Sequence, residues 1–232
     1  MTFNRFLLTC ALALAAAYSA LAFHPDALFP NTYRFGNVAL HSREPISESA
    51  RALISRVNEK IFTGDFSSAE QNFDIYIPGS KALYTLFAPF CAKTFACLHP
   101  VTDKIFIFSA DFGKNLASIP GGMENPRMLE SVLTHELVKA QLKHALGTFN
   151  YIILPGMKKD GYAEHIVMET AEMQPAEICV KNKKTATLAL YLEQRLALEL
   201  VQFENDITYP ALLRSNKADG SAEKRLRQKY CN

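Results

Sequence analysis

Val132-Leu133-Thr134-His135-Glu136-Leu137-Val138-Lys139 lies inside a segment that reads as one long helix over 126–146. Asn125 supplies a cap, Pro126 suits a first turn, and Gly147 is a natural stop. At 1.5 Å per residue such a helix is about 31 Å long. His135 and Lys139, four residues apart, project from one face about 40° apart, with Glu136 beside them. Strands precede this helix and further helices follow it.

On the N-terminal side, Tyr33-Arg34-Phe35 and Val38-Ala39-Leu40 flank Gly36-Asn37 and predict a hairpin over 33–41. Ile46, Ala50, Leu53, Ile54, Val57 and Ile61 follow helical spacing behind Ser47 as a cap. Phe73, Ile75 and Ile77 alternate as a strand that Pro78-Gly79 stops, and 80–88 suits a short helix. The runs 95–98 and 104–108 predict another hairpin, with Ile105-Phe106-Ile107-Phe108 apolar on both faces as in an interior strand. On the C-terminal side, one helix is expected to start near Lys158 and include Tyr162 to Met168, and another runs from Ala186 to Glu204 ahead of Pro210. This order predicts an α+β fold: a small N-terminal mixed or antiparallel sheet packed on the long helix and on further C-terminal helices.

The composition sets the class. Hydrophobic residues make up 49% of the 232, enough to exclude a disordered or low-complexity chain. A net charge of +2 leaves no electrostatic footprint for nucleic acid. Residues 1–22 read as a signal peptide or N-terminal membrane anchor: Arg5 precedes an uncharged run from Phe6 to Ala22, and Ala20-Leu21-Ala22 is a small-x-small cleavage site. Both readings export the remainder, with membrane association through residues 6–22 under the second. Residues 23–213 form the main domain. Residues 214–232 are a basic tail, read as a solvated helix end in preference to a contact for anionic lipid. Cys91, Cys97, Cys179 and Cys231 permit disulfides in an oxidising compartment, with three pairings open and a free thiol at Cys179 an equal alternative. None has zinc-knot spacing. Nothing in the sequence points to an oligomeric state.

About twenty residues after His135 comes Leu154-Pro155-Gly156-Met157-Lys158-Lys159-Asp160-Gly161-Tyr162-Ala163-Glu164. Together the two segments, roughly 128–168, resemble the gluzincin-type zinc metallopeptidases of the thermolysin-like superfamily. Many members of that superfamily pair HExxH with a downstream P-x-W-x-x-E-G-x-A. The resemblance implies that His135 is a metal-ligand position, Glu136 the general base and Asp160 the third ligand position. It also implies that Glu164, one turn beyond Asp160, orients a ligand histidine from behind the metal. Zinc is the cofactor, and a peptide or protein the partner, that the resemblance brings with it.

The departures are chemical. Met157 stands for tryptophan, Asp160 is one methylene shorter than glutamate, and Lys139 occupies the second histidine position. An ammonium 4 Å from a zinc ion costs about 8 kcal/mol at an effective dielectric of 20. Holding the lysine neutral at pH 7 costs about 4.6 kcal/mol. His144 and His165 point away from this face by helical geometry. The Lys139 ammonium is therefore expected to take the metal's position and pair with Asp160, Glu136 or both. Three readings follow: an exported metallopeptidase-like binding or regulatory module with an impaired zinc site, an active zinc peptidase with an unusual ligand set, and a membrane-anchored structural protein. The ordinary alternative is an amphipathic helix with a partly buried His135, and acids at Asp160 and Glu164 that favour a helix start. His24, His41 and His99 are read as loop or strand-end residues, and Phe87, Phe90 and Phe95 as core. Ser131 and Thr134 lack the strained elbow of a serine hydrolase.

Overall fold

The computed structural model describes residues 2–91, 94–119, 126–179, 186–215 and 220–231. Helix α1 (Thr2–Phe23) is largely exposed, and its segment Phe6–Phe23 is long and apolar enough to cross a membrane. The expected hairpin forms from β1 (Asn31–Phe35) and β2 (Val38–Ser42). Its turn needs glycine: Gly36 has φ +54°, and a Cβ there would meet the Asn58 side chain at 2.6 Å.

Helix α2 (Glu48–Ile61) starts where Ser47 Oγ accepts the Ala50 N–H at 3.2 Å, and it buries Leu53, Ile54, Val57 and Ile61 against the sheet. It also returns the chain so that β3 (Phe73–Ile77) lies parallel to β2. The sheet is consequently mixed, with a βαβ crossover inside it that the strands-then-helices pattern did not suggest. After α3 (Lys81–Phe87), the hairpin of β4 (Ala96–Leu98) and β5 (Ile105–Ile107) completes the five strands in the order β1-β2-β3-β5-β4. Strand β5 pairs on both sides, β3 parallel and β4 antiparallel, as its two-sided apolar character required. Strand β4 is left at the edge. Lys143, on the long helix, ties the β4–β5 turn down: its Nζ donates to Pro100 O at 2.6 Å and pairs with Asp103.

A second sheet of β6 (Ser109–Asp111), β7 (Leu116–Ser118) and β8 (Arg127–Met128) was not anticipated. It shortens the long helix, since Arg127 pairs with Ala117 and α4 runs Leu129–Leu146 with Met128 as its cap residue. Pro126 therefore precedes a strand instead of opening a helix, and Asn125 lies outside the described residues. Gly147, at φ +79°, ends α4 as expected.

Helix α4 is buried over most of its surface because it is wrapped on both sides, and it carries polar residues such as Thr134, His135, Glu136, Gln141 and Lys143 into that burial. Leu129, Val132, Leu133 and Leu137 join the core between α2 and the sheet. Val138 and Leu142 join a second core with the later helices. Those are α5 (Thr148–Ile153), which the sequence pattern did not mark, α6 (Gly156–Val167), α7 (Ala186–Asn205), α8 (Tyr209–Arg214) and α9 (Ser221–Tyr230). Helices α6 and α7 meet almost backbone to backbone at Gly161, where a Cβ would lie 2.5 Å from Gln194 O. Helix α9 is more than a solvated end: Ala222 and Leu226 are buried in the second core.

The cysteines pair as Cys91–Cys97 and Cys179–Cys231, so Cys179 is no free thiol. Two disulfides are compatible with an oxidising compartment.

Candidate functional site

Helix α4 presents His135, Glu136 and Lys139 to the first turns of α6, which bring Asp160 opposite. His135 Nε2 and Asp160 Oδ1 are 3.3 Å apart. The Lys139 ammonium lies 3.0 Å from Glu136 Oε1 and 3.5 Å from Asp160 Oδ1. Two stretches separated by 25 positions thus converge on one imidazole, one ammonium and two carboxylates. The packing that brings them together is the Gly161 contact, which draws α6 in against α7 while α4 holds the other side.

Burial makes these charges depend on each other. His135 is 1% exposed and Glu136 6%. Burial by itself would raise the Asp160 carboxyl. The Lys139 ammonium and the hydrogen bond with His135 outweigh it and hold that carboxyl well below the usual range. Burial would likewise lower Lys139, but Glu136 and then Asp160 hold it well above the usual lysine range. Lys139 is a cation here.

Glu136 is tied at both oxygens. Oε1 accepts from Lys139, and Oε2 accepts the backbone N–H of Leu98 at 3.0 Å. The second bond fixes the edge strand β4 to α4. Nothing in the sequence spacing announces it, because a backbone donor has no signature.

The His135 ring stacks on Tyr191 of α7, with centroids 4.6 Å apart, and its Nδ1 is buried without a hydrogen-bond partner. The Arg127 guanidinium also lies over the Tyr191 ring, 4.7 Å from its centroid, and pairs with Glu169. Arg127, Tyr191 and Phe95 line the cleft with His135, Glu136, Lys139 and Asp160, and the sequence marks none of the three as functional. Tyr191 falls on the long α7 pattern and Arg127 on what reads as a helix start, so both look like ordinary structural positions. Phe87 and Phe95, expected as core, are 1% and 5% exposed, whereas Phe90, expected with them, is 82% exposed. The cleft has a volume of about 250 Å³.

Glu164 sits apart from this cluster. It is fully buried, and its Oε1 accepts the Thr170 N–H at 2.8 Å in the turn after α6, while Oε2 has no partner. It makes no hydrogen bond to His135. Arg195 secures the same turn, donating to Thr170 Oγ1 at 3.0 Å and Thr170 O at 3.1 Å. Met157, in the tryptophan position of the motif, packs into the second core. His144 is exposed, and His165 Nδ1 lies 3.1 Å from Glu199 Oε1, away from the cleft. His41 pairs with Asp74, and His99 accepts the N–H groups of Val101 and Thr102 in its turn. Thr134 Oγ1 donates to Glu130 O within its own helix.

A metal ion would find His135 Nε2 and Asp160 facing an ammonium, and among the described residues no group of three or more His, Cys, Asp or Glu side chains is placed to hold one. Comparison of the chain with protein-family models gives no match, and comparison with curated proteins gives none.

Proposed function

We propose that this chain is an exported metallopeptidase-like protein in which a lysine–carboxylate cluster takes the place of zinc, and that its cleft serves as a binding or regulatory module for a peptide or protein. The observation that carries this reading is the state of Glu136. A general base must be free to turn an oxygen toward the water it activates, and two hydrogen bonds pin the carboxylate's orientation. Both Glu136 oxygens already accept hydrogen bonds, from an ammonium on one side and a strand N–H on the other.

The donor set supports the same reading. A catalytic zinc site uses three protein ligands and keeps one position open. Here a protonated Lys139 stands four residues after His135, where the motif calls for a second histidine. The cleft supports a peptide partner. At about 250 Å³ it is smaller than the roughly 300–1,000 Å³ of pockets for free-standing small ligands, and it suits one side chain of a longer partner. Ala96 and Cys97 of the edge strand β4 line it, beside Phe95.

The test is metal content and hydrolysis measured on one preparation of the full chain. The expected result is far less than one zinc per chain and no peptide hydrolysis that a chelator abolishes. One zinc per chain with chelator-sensitive cleavage would overturn the proposal in favour of an active peptidase with an unusual ligand set.

A further inference from the structure

A larger cavity, about 520 Å³, opens at the other end of α4, where that helix meets α5, the start of α6 and the end of α8. Leu146, Ile153, Leu154 and Leu213 make its walls aliphatic. Among the described residues its charged lining residues are both cations, Lys158 and Arg214, and no acidic side chain lines it. Its volume falls within the range of sites for small molecules.

Lys158 is 1% exposed. Two of its three N–H donors go to backbone carbonyls, Leu212 O at 2.7 Å and Ser215 O at 2.8 Å. No carboxylate among the described residues pairs with its ammonium, which the two carbonyl dipoles alone hold. The contrast lies within the same fold: Lys143, equally buried on α4, has Asp103, and Lys139 has Glu136 and Asp160. Burying an ion without a counter-charge is costly, and an anion in the cavity removes that cost. Arg214 stands exposed at the rim, its guanidinium held 5.4 Å from the Phe66 ring centroid. Among the described residues neither cation has an acidic partner.

The apolar half of the cavity continues outward along α5. Phe149, Ile152 and Ile153, spaced to share one face, are 74%, 54% and 63% exposed. Scattered exposed hydrophobics are ordinary, but here three fall on one face of a six-residue helix and one of them, Ile153, lines the cationic cavity.

We propose that this cavity binds a single-chain amphiphile with a carboxylate head, the head between Lys158 and Arg214 and the aliphatic chain along Leu146, Ile153, Leu154 and Leu213. The carboxylate supplies the counter-charge that Lys158 lacks, and the chain covers apolar surface that α5 leaves in water. This site is separate from the His135 cleft: Lys158 and Asp160 are two residues apart on α6, about 200° around the helix.

The test uses the full chain in phosphatidylcholine nanodiscs, with empty nanodiscs as reference, titrated with octanoate labelled with ¹³C at the carboxyl. Saturable binding of one octanoate per chain is expected, with octanol, which has the chain but not the charge, at least about tenfold weaker. Arg214→Gln, at an exposed position, should weaken octanoate at least about tenfold, and Lys158→Met should weaken it further. Should Lys158→Met fail to fold, Arg214→Gln decides the matter alone. Equal affinity for octanol, an Arg214→Gln chain that binds octanoate unchanged, or association with phosphatidylglycerol vesicles without any octanoate binding would each overturn the proposal.

Discussion

Lys139 on α4 and Asp160 on α6 face each other at 3.5 Å, a methylene-shortened acid opposite a long cation. Their pairing joins the two helices at the depth where His135 and Glu136 are also buried, so the four groups stand or fall as one charge cluster.

Removing the cation strands two carboxylates. Lys139→Met is expected to destabilise the fold by about 3 kcal/mol, the lower end for a broken buried pair because the Asp160 side chain keeps 24% exposure. Adding Asp160→Asn should recover part of that loss. Urea unfolding of the three proteins measures this, and a Lys139→Met chain as stable as the parent would refute the coupling.

The same cluster sets a pH dependence. Asp160 titrates lower in the folded chain than unfolded, so its stabilising effect is complete above about pH 4 and disappears as pH falls through the folded value. Lys139 titrates higher in the folded chain, so its effect is complete below about pH 10 and disappears as pH rises through the folded value. The stability gap between the parent and Asp160→Asn should therefore be flat from pH 5 to 9 and shrink below about pH 4. A gap that widens on acidification would contradict the assignment.

The two disulfides should differ in worth. Cys179–Cys231 joins residues 52 apart, and Cys91–Cys97 residues 6 apart. In the chain-entropy model removal costs about 4 and about 2 kcal/mol. Double alanine variants unfolded in urea without reductant would give the order, and the long loop is expected to matter more, because it also secures α9 to the second core.

Much of the fold was legible because hydrophobic period carries it. Leu53, Ile54, Val57 and Ile61 announced α2, and the two-sided apolar run at Ile105 announced an interior strand. The second sheet was not, since β6, β7 and β8 are two or three residues long, too short to show a period. Helix α5 was hidden for a related reason: Phe149, Ile152 and Ile153 face water, so its pattern does not report a core. At the site, His135, Glu136 and Lys139 share a helix face by their spacing, and the resemblance of the two motifs puts Asp160 opposite them, whereas Glu164 spends its hydrogen bond on Thr170 N. Leu98 N–H, Tyr191 and Arg127 entered only through tertiary packing. Lys158 carries no signal in the sequence, because a lysine early in a helix reads as a solvated one.

The most direct measurement is a zinc titration by calorimetry of the parent beside Lys139→His/Asp160→Glu. The variant puts a second imidazole one turn from His135 and lengthens the facing acid. It is expected to take up one zinc per chain while the parent takes up none. A parent that binds zinc one-to-one, or a folded variant that binds no more than the parent, would contradict the claim that Lys139 holds the metal's place.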